Sequence, residues 1–180
     1  EGVASEASSL AATQDLGNLI LFYDDNRITI EGETKISFSE DVEARYAAYG
    51  WHTQHVDFTN GFTTYEEKVG ELYAAVEAAK QVTDRPSFIK VTTIIGWPLP
   101  TLAGTHGIHG SAIGAGEIAA LKTLLGMDPE KSFDVAPEVL DHVREVKARG
   151  AQLHAEWNES FDAWKAAHPD KVALLDRLLA

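Results

Sequence analysis

Cysteine is absent from all 180 residues, which removes disulfides, thiolate metal sites and cysteine nucleophiles from consideration. Positive charge is scarce: 15 Lys and Arg stand against 28 Asp and Glu, a formal net charge of -13. Neither nucleic acid nor an anionic membrane surface is therefore an expected partner, although a few local cations or backbone amides suffice for a phosphorylated ligand. No apolar run approaches the roughly 18 residues that mark a bilayer span, and no basic segment followed by an apolar one opens the chain as a secretory leader would. With cysteine missing as well, a cytoplasmic location is the expectation. Internal repeats and low-complexity tracts are also missing. What is present, 44% apolar and 24% charged residues, suits a folded domain with a real core. The chain starts at Glu1, and "EGVASEASSLAATQDLGN" begins inside a helical pattern, as a piece of a longer polypeptide would.

Helical and strand patterns alternate. Residues 3–14 are rich in Ala and Leu, with Gly17 as a stop before the apolar "NLILFYD", so helix then strand is expected. In "SFSEDVEARYAAYG", Ser39 is a candidate N-cap, Glu40 and Asp41 would occupy the first turn, and Gly50 ends the helix. "WHTQHVDF" at 51–58 reads as a second strand. Thr63 and Glu66 have capping-box spacing ahead of Val69, Leu72, Val76 and Ala79 on one helical face. "SFIKVTTIIG" is a third, β-branched strand, followed by the irregular "WPLPTLAGTHGIHGSAIGAG". Strands separated by helices of a dozen residues imply parallel pairing with right-handed crossovers, hence a doubly wound α/β sheet. From Glu117 on, the pattern is helical, with Pro137 as a first helical residue and breaks near Gly150 and Pro169. The expected division is an α/β part, 1–115, and a helical C-terminal extension, 116–180. In the latter, Trp157, Phe161 and Trp164 at i, i+4 and i+7 suit packing better than cofactor binding.

Two stretches suit chemistry, and both fall where strands end, the edge at which open α/β sheets bind ligands. The first is Asp24, Asp25 and Asn26. Such residues supply turns, but an amide oxygen and backbone carbonyls are also hard donors for Mg²⁺ or Ca²⁺, which need few carboxylates when waters and phosphates complete the shell. The second is "AGTHGIHG", 103–110, where three glycines surround His106 and His109. A flexible backbone can approach a ligand there, and a histidine can bind phosphate or move a proton. Zinc suits it poorly, because His-x-x-His lacks a third nitrogen or sulfur ligand nearby. Glu1 and Glu6, five apart, share no helix face. His52 and His55 point to opposite faces of their strand by parity, and Lys90, within the third strand, could serve phosphate but reads rather as a solvated edge lysine.

Taken in order, "EGVASEASSLAATQDLGNLILFYDDNRITIEG", "DVEARYAAYGWH", "DRPSFIKVTTIIGWP" and "AGTHGIHGSAIG" closely resemble the thiamine diphosphate-binding domain of transketolase, and the resemblance runs along the whole chain. It implies that Asn26, through its side-chain oxygen, and Ile28, through its backbone carbonyl, are Mg²⁺ ligands, with Ca²⁺ as a substitute ion. Asp24 and Asp25 would then be mainly turn formers. It implies that His106 lies beside the diphosphate and the donor sugar, where it hydrogen-bonds substrate, and that Glu1 and Glu6 lie near a homodimer interface, in a network with the partner's catalytic glutamate. His109 belongs to the same motif without an assigned role. The family's Gly-Asp-Gly element, which supplies a Mg²⁺ carboxylate, is not part of this sequence, and the two prolines of "GWPLPTLAGT" depart from many related sequences. The implied activity is transfer of a two-carbon ketol unit between phosphorylated sugars, with the 180-residue segment inactive alone. A pyruvate-using relative such as 1-deoxyxylulose-5-phosphate synthase and a non-catalytic partner chain are the alternatives.

Overall fold

The computed structural model describes residues 2–180; Glu1 lies outside the described residues. The chain divides into two compact units, Glu1–Glu130 and Lys131–Ala180.

The first unit is built on a three-stranded parallel sheet in the order β1-β3-β2, with β1 at Ile20–Asp25, β2 at His52–Asp57 and β3 at Ser87–Thr92. Helix α1, Gly2–Thr13, precedes β1; α2, Val42–Tyr49, links β1 to β2, and α3, Val69–Gln81, links β2 to β3. The helices cover both faces, as the alternation of hydrophobic runs with helical segments requires. On one face Phe88, fully buried, packs with Trp51, Ala11 and the α2 residues Tyr46 and Tyr49. Tyr46 stacks on Phe88 with ring centroids 4.1 Å apart and meets Trp51 edge-on at 5.0 Å. The Trp51 indole N–H donates to the Ser8 carbonyl at 2.9 Å, which ties α1 into the same layer. On the other face Ile89, Val91 and Val56 pack against Ala75, Ala79, Leu72 and Val76 of α3. Successive β3 residues thus serve opposite layers, the period-2 rule of a strand buried on both sides.

That alternation also places the strand histidines on opposite faces. His52 Nδ1 lies 3.1 Å from Ser87 Oγ, and His55 Nε2 lies 2.8 Å from Thr92 Oγ1. Lys90 differs from expectation. It sits on the central strand, not at an edge, with its side chain 19% exposed and its Nζ 3.9 Å from Asp25 Oδ2.

Local signals were displaced where tertiary contacts claimed the residues first. The N-cap of α2 is Asp41, whose side chain accepts from the Ala44 N–H at 3.1 Å, and not Ser39. Glu40 lies outside the helix and pairs with Arg45. Gly50 does end α2, in a left-handed conformation with φ of 97°. The Thr63/Glu66 capping box does not form. Thr63 and Thr64 donate to the Thr59 carbonyl and Glu66 to the Phe58 carbonyl, so α3 starts only at Val69.

Gly17 lies in the turn between α1 and β1, with its Cα against the backbone of Thr83. A Cβ there would fall inside contact distance of the Thr83 carbonyl group, and backbone cannot swing away as a side chain can. Gly17→Ala is expected to cost about 1–3 kcal/mol, read as a lowered thermal midpoint; an unchanged midpoint would show that the turn yields freely.

In the second unit, α5 runs from Pro137 to Ala167 and α6 from Pro169 to Leu179. Proline opens both helices, where its missing N–H costs nothing. The expected break at Gly150 does not occur, because one glycine costs only about 1 kcal/mol in a helix interior, too little to interrupt 31 residues. Along α5, Trp157, Phe161 and Trp164 stack ring on ring at centroid distances of 4.7 and 5.6 Å. Among the described residues no helix is long and apolar enough to cross a membrane.

Candidate functional site

The three strands run parallel and deliver their carboxyl ends to one edge. There a cavity of about 410 Å³ is lined by Asn26, Arg27, Ile28 and Thr34 beyond β1, Phe62 beyond β2, and Ile94, Ala103 and Gly104 beyond β3. Such an edge is where α/β sheets bind ligands.

Asp24 and Asp25 do not form the turn. They are the last two residues of β1, in register with Val91 and Thr92, because the backbone pairing continues to their end. Asp24 Oδ1 accepts from the Thr93 hydroxyl, and its Oδ2 accepts from Asn26 Nδ2 at 3.4 Å. That bond fixes which way the Asn26 amide faces. Its Oδ1 accepts from the Ile28 N–H at 3.0 Å, which leaves the oxygen a second lone pair. Ile28 itself bridges to Glu33 through its neighbours: Thr34 donates to the Arg27 carbonyl at 2.9 Å and Thr29 to the Gly32 carbonyl at 2.6 Å. The Ile28 carbonyl stays outside that ladder. Asn26 and Ile28 both line the cavity, and an amide oxygen and a backbone carbonyl are hard donors of the kind that suits an oxygen-seeking divalent cation. Among the described residues no cluster of three His, Asp or Glu side chains could hold a metal, so further ligands would have to be waters, ligand phosphates or groups from beyond this chain.

The loop after β3 reaches the cavity at Ala103 and Gly104. It is less free than its glycines suggest. Trp97 stacks on Tyr65 at 4.5 Å, Leu99 is buried, and the Gly104 N–H donates to the Ile95 carbonyl at 2.8 Å. Glu117, in the first turn of α4 (Ala115–Leu124), accepts from the Thr101 and Leu102 amides at 2.8 and 3.2 Å and from the Thr101 hydroxyl at 2.9 Å. Gly104 and Gly110 use positive φ, 73° and 76°, to turn the chain around a 3-10 turn at His106–Ile108. His106 is exposed on that turn and is not itself among the cavity-lining residues; His109 is exposed beside it. Glu6 is exposed on α1 and does not line the cavity, while Glu1 lies outside the described residues. The structure thus brings Asn26 and Ile28 together and places the His106 loop against them.

The Thr101 amide is the largest influence on the Glu117 carboxyl and lowers its pKa; desolvation opposes this, and the Thr101 hydroxyl and Leu102 amide add to the lowering. A depressed carboxylate holds its partners above its unfolded pKa and releases them as pH falls through the folded one. Protection of the Thr101 and Leu102 amides, measured against the intrinsic exchange rate at each pH, is therefore expected to be high at neutral pH and to fall below the ordinary glutamate range. Glu117→Ala should show the low protection at every pH. Equal exchange in mutant and parent would mean that Glu117 does not hold the loop.

Residues 1–180 match, from end to end, the family described as transketolase, thiamine diphosphate binding domain. The chain belongs to the transketolase family. A transketolase from Mycobacterium leprae is 53% identical over all of this chain, and one from Scheffersomyces stipitis is 44% identical over 99% of it. Each match covers 25% of the relative, so the chain spans about a quarter of the length of these curated transketolases. A transketolase from Pichia stipitis, solved in complex with sedoheptulose 7-phosphate, superposes with a TM-score of 0.84 at 44% identity, covering 98% of this chain and 25% of that one. The transketolase of Leishmania mexicana gives 0.81 at 35% identity, covering 94% and 24%.

Spacing along the sequence did not reveal Glu117, sixteen residues from Thr101, or the contact of the Arg27 guanidinium with the Phe62 ring on the cavity wall, thirty-five residues apart. Only the "DFTNG" at 57–61 carries a local signal, an Asx-type turn that aims the following residue.

Proposed function

We propose that the polypeptide to which this chain belongs transfers a two-carbon ketol unit reversibly from a ketose phosphate to an aldose phosphate, as in the pentose phosphate pathway, using thiamine diphosphate and Mg²⁺. What supports this reading is that Asn26, whose amide oxygen accepts from the Ile28 N–H, and Ile28 itself line one cavity in a chain of the transketolase family. Thiamine diphosphate, when bound, supplies the carbanion chemistry that a protein side chain cannot. Asn26 and Ile28 would hold the cation, with Asp24 keeping the Asn26 amide oriented. His106 would hydrogen-bond the donor sugar from its turn beside the cavity. Glu6, exposed on α1, and Glu1 would meet the other subunit of a homodimer whose active site lies at the interface. The location is cytoplasmic. The isolated 180 residues would be inactive, since carboxylate ligands and the partner's groups are outside them.

The test is ketol transfer by the full-length polypeptide with xylulose 5-phosphate and ribose 5-phosphate, with and without both cofactors. Transfer that requires both supports the reading. Turnover of pyruvate instead would move the protein to the synthase class, and no turnover with either donor would leave a non-catalytic partner.

A further inference from the structure

Two non-glycine residues on the cavity wall have positive φ, Arg27 at 59° and Phe62 at 64°, a conformation that side chains with a Cβ disfavour. They are partners. The Arg27 guanidinium carbon lies 4.1 Å from the centroid of the Phe62 ring, well inside cation–π range.

Behind each residue stands a fixed support. Asp57, the last residue of β2, accepts from the Thr59 N–H and hydroxyl, both at 2.7 Å, and from the Gly61 N–H at 2.8 Å. The Thr59 hydroxyl oxygen in turn accepts from the Phe62 N–H at 3.0 Å. Burial pushes the Asp57 carboxyl up, but the bonds from the Thr59 hydroxyl and the Gly61 and Thr59 amides, with the field of His55, outweigh it and bring it to about 2. The turn therefore stays built on an ionised anchor at neutral pH. On the other side, the Arg27 carbonyl accepts from Thr34, and the neighbours of Arg27 in sequence are Asn26 and Ile28.

We propose that Phe62 is a positioning residue for the cation site: carried on the Asp57 turn, its ring clamps Arg27 and so keeps the two oxygen donors flanking Arg27 on the cavity wall. This rests on the reading of Asn26 and Ile28 as Mg²⁺ ligands. It links the end of β2 to the loop beyond β1 through a contact between two side chains rather than through the sheet. The clamp also occupies the guanidinium face, so Arg27 acts as a strut.

Three substitutions separate the ring from its surroundings. Phe62→Leu keeps apolar bulk without a π face, Phe62→Gly relieves the positive φ while removing the ring, and Phe62→Tyr keeps the face. In the full-length polypeptide, thiamine diphosphate binding is followed by intrinsic fluorescence while Mg²⁺ is titrated. Deuterium exchange of residues 26–34 is followed by mass spectrometry in metal-free protein. Losing an exposed cation–π contact is expected to raise the Mg²⁺ midpoint about two- to fivefold in the Leu and Gly variants, with faster exchange in 26–34 and an unchanged thermal midpoint in the Gly variant. The Tyr variant should restore both readouts. Unchanged midpoint and exchange in both Leu and Gly variants, or failure of Tyr to restore them, overturns the proposal. If the parent binds cofactor without regard to Mg²⁺, the ligand reading of Asn26 and Ile28 fails instead, and the metal-free exchange still decides whether the ring holds the turn.

Discussion

Asn26→Ala is expected to raise the Mg²⁺ concentration needed for thiamine diphosphate binding by about 10- to 100-fold, the scale on which even outer partners of a metal ligand matter. The substitution removes two things at once. One is the proposed ligand oxygen; the other is the acceptor for the Ile28 N–H, whose loss frees the backbone that carries the second proposed donor. Asn26→Asp is the control for both, because a carboxylate keeps an oxygen at the same place for each task. The aspartate variant is expected to retain most of the Mg²⁺ affinity while the alanine variant loses it. A Mg²⁺ titration of cofactor binding in the full-length polypeptide checks both. An alanine variant with the parental midpoint would exclude Asn26 as a ligand. An aspartate variant as poor as alanine would mean that the Nδ2 hydrogen bond to Asp24, which aspartate cannot donate, matters more than the oxygen.

The layers of the fold were legible because burial imposes a period. β3 alternates Phe88 against Ile89 and Val91 toward opposite helices, and such alternation with helices between strands leaves few topologies. Boundaries were less legible because each depends on a competitor elsewhere in the chain. Thr63 and Glu66 had the spacing of a cap, but the carbonyls of Phe58 and Thr59 took the amides of Thr63, Thr64 and Glu66. Ser39 and Asp41 are equivalent as caps in sequence, and Asp41 holds the Ala44 amide. Lys90 read as an edge lysine, whereas the strand order puts β3 in the centre. At the site, Asn26 and the His106 loop were found from residue type and resemblance. The supports of that site, Asp57, Phe62 and Glu117, were not, since each acts across a distance in sequence that no local period encodes.

His106→Ala is expected to lower kcat/KM for the ketose donor about 100-fold, the lower end of what a positioned proton-transfer group contributes. Stability should not change. The His106 ring makes no hydrogen bond to another described residue, and the turn under it is held by backbone: His109 donates to the His106 carbonyl at 3.0 Å and Thr105 to the Leu102 carbonyl at 3.1 Å. The Thr105 hydroxyl adds a bond to that same Leu102 carbonyl at 2.7 Å. Alanine therefore removes an exposed ring and no internal contact, so an equal thermal midpoint accompanies the kinetic loss. Mg²⁺ affinity should also hold, because the proposed cation donors sit on the other loop. His106→Gln tells the two possible roles apart. A side-chain amide can donate a hydrogen bond but cannot relay a proton, so recovery of activity assigns hydrogen bonding to the sugar, and no recovery assigns proton movement. Parental kcat/KM in the alanine variant would remove His106 from the reaction and shift attention to His109, exposed on the same turn.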